Sequence, residues 1–228
     1  MWLLYEMPYR GIYGSEAFNV RISWNLLTLF GLALLLAGMM TMEQTSTGFR
    51  QLLHASPCGR NAMLCRKYIL SGAVTLLLWT VPTLLEIRAL LAGIDPATLA
   101  APVQSLSFLG EFHFLVSIRG FLIGIYLARL LALLACACVV LFLSTLFRRL
   151  EIAYLVACAV LVLPTVLWSY LNLAPFQFLS VARVTDMIGI ITEQQGQVGG
   201  RPLGWIVLIL VGTVCAFQTV RCWNRAYG

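Results

Sequence analysis

Five apolar runs, each about twenty residues or somewhat longer, divide this sequence, and arginine-rich stretches stand between several of them. The first, 22–42, reads ISWNLLTLFGLALLLAGMMTM; the others fall at about 68–94, 120–146, 152–171 and 203–220. A helix rises about 1.5 Å per residue, so about 20 apolar residues cross ~30 Å of hydrocarbon. Lipid offers no hydrogen bonds to a bare backbone, so each run is expected to be helical. Composition agrees: 61% of residues are hydrophobic and 11% charged, whereas soluble domains carry about 25% charged residues. The reading is an all-α polytopic membrane protein with five transmembrane helices in a single domain, 1–228.

Charge sets the expected orientation, because Lys and Arg concentrate in cytoplasmic segments. With Met1 outside, the inner segments are 43–67, 147–151 and 221–228. They hold Arg50, Arg60, Arg66, Lys67, Arg148, Arg149, Arg221 and Arg225, eight cations in 38 residues. The outer segments, 1–21, 95–119 and 172–202, hold five cations in 77 residues. The amino terminus is therefore expected outside and the carboxyl terminus in the cytoplasm, in a multi-pass protein of the cell membrane. The net charge of +6 belongs to this topology. No basic run interleaved with stacking aromatics suggests a nucleic-acid partner. The opening MWLLYEMPYR lacks a basic leader and a cleavage site, so no cleavable signal is expected.

Two outer stretches, LAAPVQSLSFLGEFHFLV (99–116) and APFQFLSVARVTDMIGII (174–191), are too apolar for solvated loops and too interrupted to span. They are expected to form interfacial or re-entrant external helices. The inner segment 43–67 has another character. Phe49, Leu52 and Leu53 recur at helical spacing as one apolar stripe. Thr45, Ser46 or Thr47 can cap the start, and Ser56-Pro57 followed by Gly59 predicts a stop and a turn. A second turn from Asn61 then leads into the next span, with Arg66 and Lys67 at the headgroups. One reading is a connector lying on anionic lipid. The other is a short cytoplasmic amphipathic helix offered to a partner.

The wording of that segment resembles a known family. Glu43, Gly48, LLHASPCGR (52–60) and Lys67 stand in the order found in the cytoplasmic connector of type-2 permeases of ATP-binding-cassette exporters. LAAPVQSLSFL (99–109) resembles that family's external A-P-x-Q-S-L segment, and FLSTLFRR (142–149) resembles its short inner turn. The resemblance covers roughly residues 20–225. It implies a permease subunit, dimeric with a like subunit, whose coupling helix docks into a separate ATPase carrying ATP and Mg. The coupling residues it implies are Glu43, Gly48, Phe49, Leu52, Leu53, Pro57 and Arg60. Family members carry six spans, and the one that would come first has no counterpart here. The chain is then truncated, completed by a second polypeptide, or a five-span member.

The residues themselves add constraints. Lys67, the only lysine, follows no glycine-rich loop, so the phosphate-binding G-x-x-x-x-G-K-[ST] pattern is absent. No cofactor and no enzymatic activity are expected of this chain. Glu86 and Arg129 fall within apolar runs, where ionisable groups face a bundle interior or a wet path. They are candidates for a translocation path in which Glu86 answers Arg129; in the other reading Glu86 and Arg88 reach the headgroups and Arg129 pairs structurally. Gly120 and Gly124 form G-x-x-x-G, which permits close helix approach within the chain or across a dimer. Pro82 and Pro164 are expected to kink their helices. Cys136, Cys138, Cys158 and Cys215 lie in apolar runs and read as small core side chains. No metal site is expected. Two other classes stay open: a non-transporting membrane scaffold or sensor, and an intramembrane enzyme using Glu111 and His113.

Overall fold

The computed structural model describes residues 28–29, 31–38, 57–91, 99–102, 104, 116–147, 149–171 and 202–227. The described residues form four long helices: α1, Pro57–Leu91; α2, Ile118–Leu146; α3, Leu150–Leu171; and α4, Pro202–Tyr227. Residues 28–29 and 31–38, inside the first predicted span, are also helical. The described residues contain no strand, only an isolated bridge between Pro102 and Ser117. Among the described residues, three helical stretches are long and apolar enough to cross a membrane: Ala62–Leu85, Ile118–Leu146 and Ile206–Trp223. A fourth apolar stretch, Leu150–Pro164, is shorter, although α3 itself continues through Pro164 to Leu171. This all-helical, apolar architecture fits a membrane-embedded protein.

The boundaries follow local chemistry. Helix α1 starts at Pro57; the short helix expected to stop there lies outside the described residues. Proline suits a first helical position because its fixed φ is already helical and no N–H is needed there. The helix then runs through Gly59 without the expected turn. Helix α2 is capped by Ser117, whose hydroxyl accepts from the Gly120 amide at 3.2 Å. It ends where Phe147 turns extended, its N–H still bonded to the Leu143 carbonyl at 3.3 Å. Three residues later α3 begins, which is the short turn expected between 146 and 152. Helix α4 outlasts its apolar run and carries Arg221 and Trp223 within the helix.

Contacts set the direction of each helix. Ile118 donates to the Ala101 carbonyl at 2.9 Å, bringing the start of α2 near the segment that follows α1. Trp79 of α1 donates to the Tyr126 carbonyl of α2 at 3.0 Å. Tyr68, lower on α1, donates to the Ala216 carbonyl of α4 at 3.0 Å. Helices α1 and α3 thus run one way and α2 and α4 the other. One end of the bundle gathers the start of α1, the α2–α3 turn and the end of α4. The sequence places Arg60, Arg66, Lys67, Arg149, Arg221 and Arg225 there. We call this the basic end.

Helix α2 is the hub. About 47% of its apolar window is buried, against 17% for α1 and 22% for α4. Its most extensive partner is α4, followed by α1 and α3. Small side chains mark its contacts: Ala132, Cys136 and Ala137 are buried on α2, and Ala153 and Ala157 on α3. Leu29, Leu32 and Leu36 of the amino-terminal segment join the same core. Between helices in lipid there is no water to expel, so close packing of small residues carries the association. The outward faces of α1 and α4 expose Ile69, Leu77, Leu84, Leu210 and Phe217. In water such patches promote aggregation; on spans they are the lipid face.

Candidate functional site

In a hydrocarbon setting the informative residues are the polar ones, because each must find a partner or a purpose. Most described hydroxyls simply fold back onto their own helix. Thr75 donates to Ser71, Thr80 to Leu76, Ser144 to Leu141 and Thr219 to Cys215, each onto a backbone carbonyl at 2.7–2.8 Å. Two groups of buried polar side chains remain, one toward the basic end and one in the opposite half.

The first group ties α1 to α4. Arg66 is exposed and Lys67 is buried, with only 4% of its surface accessible. The sequence placed both at the headgroups. Neighbouring helical residues point about 100° apart, so one side chain meets the surroundings while the next enters the bundle. The Lys67 ammonium lies 4.8 Å from the ring centroid of Trp223, itself 2% exposed. A desolvated contact of this kind contributes about 2 kcal/mol. One residue on, the Tyr68 hydroxyl bonds the Ala216 carbonyl at 3.0 Å and also meets Thr219. Trp223 was missed because it lies beyond the predicted end of the last span at 220. An aromatic residue among Arg221 and Arg225 is the signal that could have found it.

The second group lies between α1 and α2. Arg129 is 6% exposed and Tyr126, one turn away, is 8% exposed. Trp79 reaches the Tyr126 carbonyl, and Thr83 stands one turn further along α1, 3% exposed. The Thr83 hydroxyl has no hydrogen-bond partner among the described residues. Burial of Arg129 agrees with a cation facing the bundle interior. Glu86 belongs to α1, seven residues beyond Trp79, so its backbone is two turns from that bond; its side chain lies outside the described residues.

The remaining expected positions divide in the same way. Pro57 and Arg60 lie in the first turns of α1. Glu43, Gly48, Phe49, Leu52 and Leu53 lie outside the described residues, as do Glu111 and His113. The G-x-x-x-G pair does not mark a helix contact among the described residues. A Cβ on Gly124 would meet nothing within 4 Å, and one on Gly120 would meet its own helix's Val116 and Ser117. The close approach is made by Gly212 instead, where a Cβ would lie 2.8 Å from that of Ala135. Cys65, Cys136, Cys138, Cys158, Cys215 and Cys222 are free thiols. No group of three metal-ligating residues occurs among the described residues. Comparison with known families, curated proteins and solved structures finds no match to this chain.

Proposed function

We propose that this chain is the membrane-spanning permease subunit of an ATP-driven exporter, working beside a like subunit and powered by separate ATPase subunits. The observation that carries the reading is the fastening at the base of α1. A helix of 35 residues, about 52 Å long, takes in the last residues of the connector 43–60. Its lower part is tied to α4 by Lys67 on Trp223 and by Tyr68 on Ala216. A push delivered to the connector then enters two spans together. In this reading Phe49 and Leu52 seat the connector in the ATPase, while Glu43 and Arg60 fix its ends. The connector resemblance and the absence of a phosphate-binding loop support a motor that is external.

In this reading the chain contributes five spans, with the apolar external stretches 99–116 and 174–191 lying in the interface. The substrate path passes the α1–α2 layer that holds Arg129, with Glu86 toward its outer mouth. The test is purification from native membranes in mild detergent. The wild-type chain is expected to bring with it a vanadate-sensitive ATPase activity. Phe49→Asp with Leu52→Asp should insert normally yet lose at least nine-tenths of that activity. Undiminished activity in the variant would remove the connector from the coupling role.

A further inference from the structure

Helix α1 is polar on the side it buries. Lys67, Ser71, Thr75, Trp79 and Thr83 recur at every fourth position, and each side chain carries a nitrogen or an oxygen. Four of the five are at most 4% exposed, and Trp79 is half-buried. Among the described residues of α1, Leu64 is the one buried apolar side chain. The stripe covers about 24 Å of a ~30 Å hydrocarbon layer. Each step of four residues turns about 40° past a full turn, so the stripe winds around α1. The contacts follow that winding. Lys67 meets Trp223 of α4 at 4.8 Å, and Trp79, three steps on, bonds the Tyr126 carbonyl of α2 at 3.0 Å. The lipid side of the same helix, with Ile69, Leu77 and Leu84, is apolar and exposed.

Packing does not ask for these oxygens. Valine has nearly the shape of threonine and no hydroxyl to desolvate. Thr75 recovers a bond from the Ser71 carbonyl of its own helix at 2.8 Å. The Thr83 hydroxyl has no hydrogen-bond partner among the described residues, although the side chain is 3% exposed. The charged side chains buried among the described residues are Lys67 and Arg129, both cations. Arg129 lies one turn from Tyr126, on the helix the stripe winds to meet. Its side chain leans toward the amino terminus of α2, and so toward the depth of the Trp79 bond.

We propose that this stripe is a lane for the phosphate of an anionic amphiphile. The headgroup passes between α1 and the rest of the bundle while the acyl chains stay in lipid. The proposal rests on the permease reading for the movement of α1, and it names the class of molecule moved. The two cations set the sign of the charge accepted, and the hydroxyls can turn to donate along the way. The exposed apolar side of α1 gives the chains a surface. Helix α1 is the span best placed to part from the bundle: 17% of its apolar window is buried, against 47% for α2.

The test places the complex, purified from native membranes, in phosphatidylcholine nanodiscs with MgATP. Three photoreactive probes are added in turn: phosphatidylglycerol and phosphatidylcholine, each with a diazirine in its headgroup, and water-soluble glycerol phosphate with the same diazirine. Peptide mass spectrometry locates the adducts. The phosphatidylglycerol probe should label α1 between residues 71 and 83, and the other two should not. Thr83→Val, eluting like the wild type in size-exclusion chromatography, should cut that labelling about tenfold, the loss expected for a hydrogen bond to a charged group. Arg221→Gln, at the basic end, should leave it unchanged. Labelling confined to the helix ends, equal labelling by the two lipids, labelling by glycerol phosphate instead, or dependence on Arg221 and not on Thr83 would overturn the lane. ATPase activity of the same sample is read separately. Its absence beside labelling at 71–83 would sink the permease reading and leave the site, whereas its presence without labelling would overturn the lane alone.

Discussion

Gly212 shows how a single hydrogen in place of a methyl can set a helix contact. Alanine is favoured over glycine in a helix interior by about 1 kcal/mol, so on propensity alone Gly212→Ala should stabilise. The added Cβ would meet Ala135 Cβ at 2.8 Å and Cα at 3.0 Å, and a backbone cannot rotate out of the way. Overpacking of this kind costs about 1–3 kcal/mol, which exceeds the propensity gain. Gly212→Ala is therefore expected to lower the unfolding temperature in detergent by several degrees. Gly124→Ala, with nothing within 4 Å of its Cβ, should leave it unchanged or raise it slightly. Equal behaviour of the two variants would show that the seam is looser than the contact implies. The contrast also shows what one sequence can hold at this scale. G-x-x-x-G is visible at Gly120 and Gly124, but a small residue matters only where another helix arrives. Ala135 lies 77 positions from Gly212, and nothing local announces the meeting.

At the scale of elements, the helices were legible because apolar run length and lipid leave the backbone little choice. The interior ends of α2 and α3 fall where the runs end. The turn expected at Gly59 is absent because α1 already starts at Pro57, and a proline suits the first position of a helix as well as the end of one. Partners across elements were less legible. Arg129 was expected to face the interior and is buried, yet the Trp79–Tyr126 bond that fixes α1 against α2 leaves no trace in periodicity. The proposed pairing of Arg129 with Glu86 belongs to this scale, since it joins the same two helices. Removing one partner of a buried ion pair costs about 3–5 kcal/mol, whereas removing both costs far less. Arg129→Gln is expected to cut the yield of folded protein severalfold. Glu86→Gln in the same chain should recover part of it. Strictly additive losses, measured by the monodisperse fraction in size-exclusion chromatography, would separate the two residues.

For the molecule as a whole, the bundle sorts its cations by end. The start of α1, the turn between α2 and α3 and the end of α4 arrive together, and Arg60, Arg66, Lys67, Arg149, Arg221 and Arg225 arrive with them. The opposite end has Arg88 in the last turn of α1 and Arg119 at the start of α2. Such an asymmetry matters during insertion, when the membrane potential and the anionic inner leaflet resist export of positive segments. Moving one charge against 100 mV costs about 2.3 kcal/mol, so an inverted molecule would export several cations at once. The cytoplasm is therefore the expected side for the basic end, and with it the carboxyl terminus. Green fluorescent protein fused after Gly228 should fluoresce in a bacterial host, and alkaline phosphatase at the same position should be inactive. Phosphatase inserted in the glycine-rich stretch 192–202 should be active. The reverse pattern would put residues 43–56 on the face away from ATP, where no nucleotide-driven subunit could reach them.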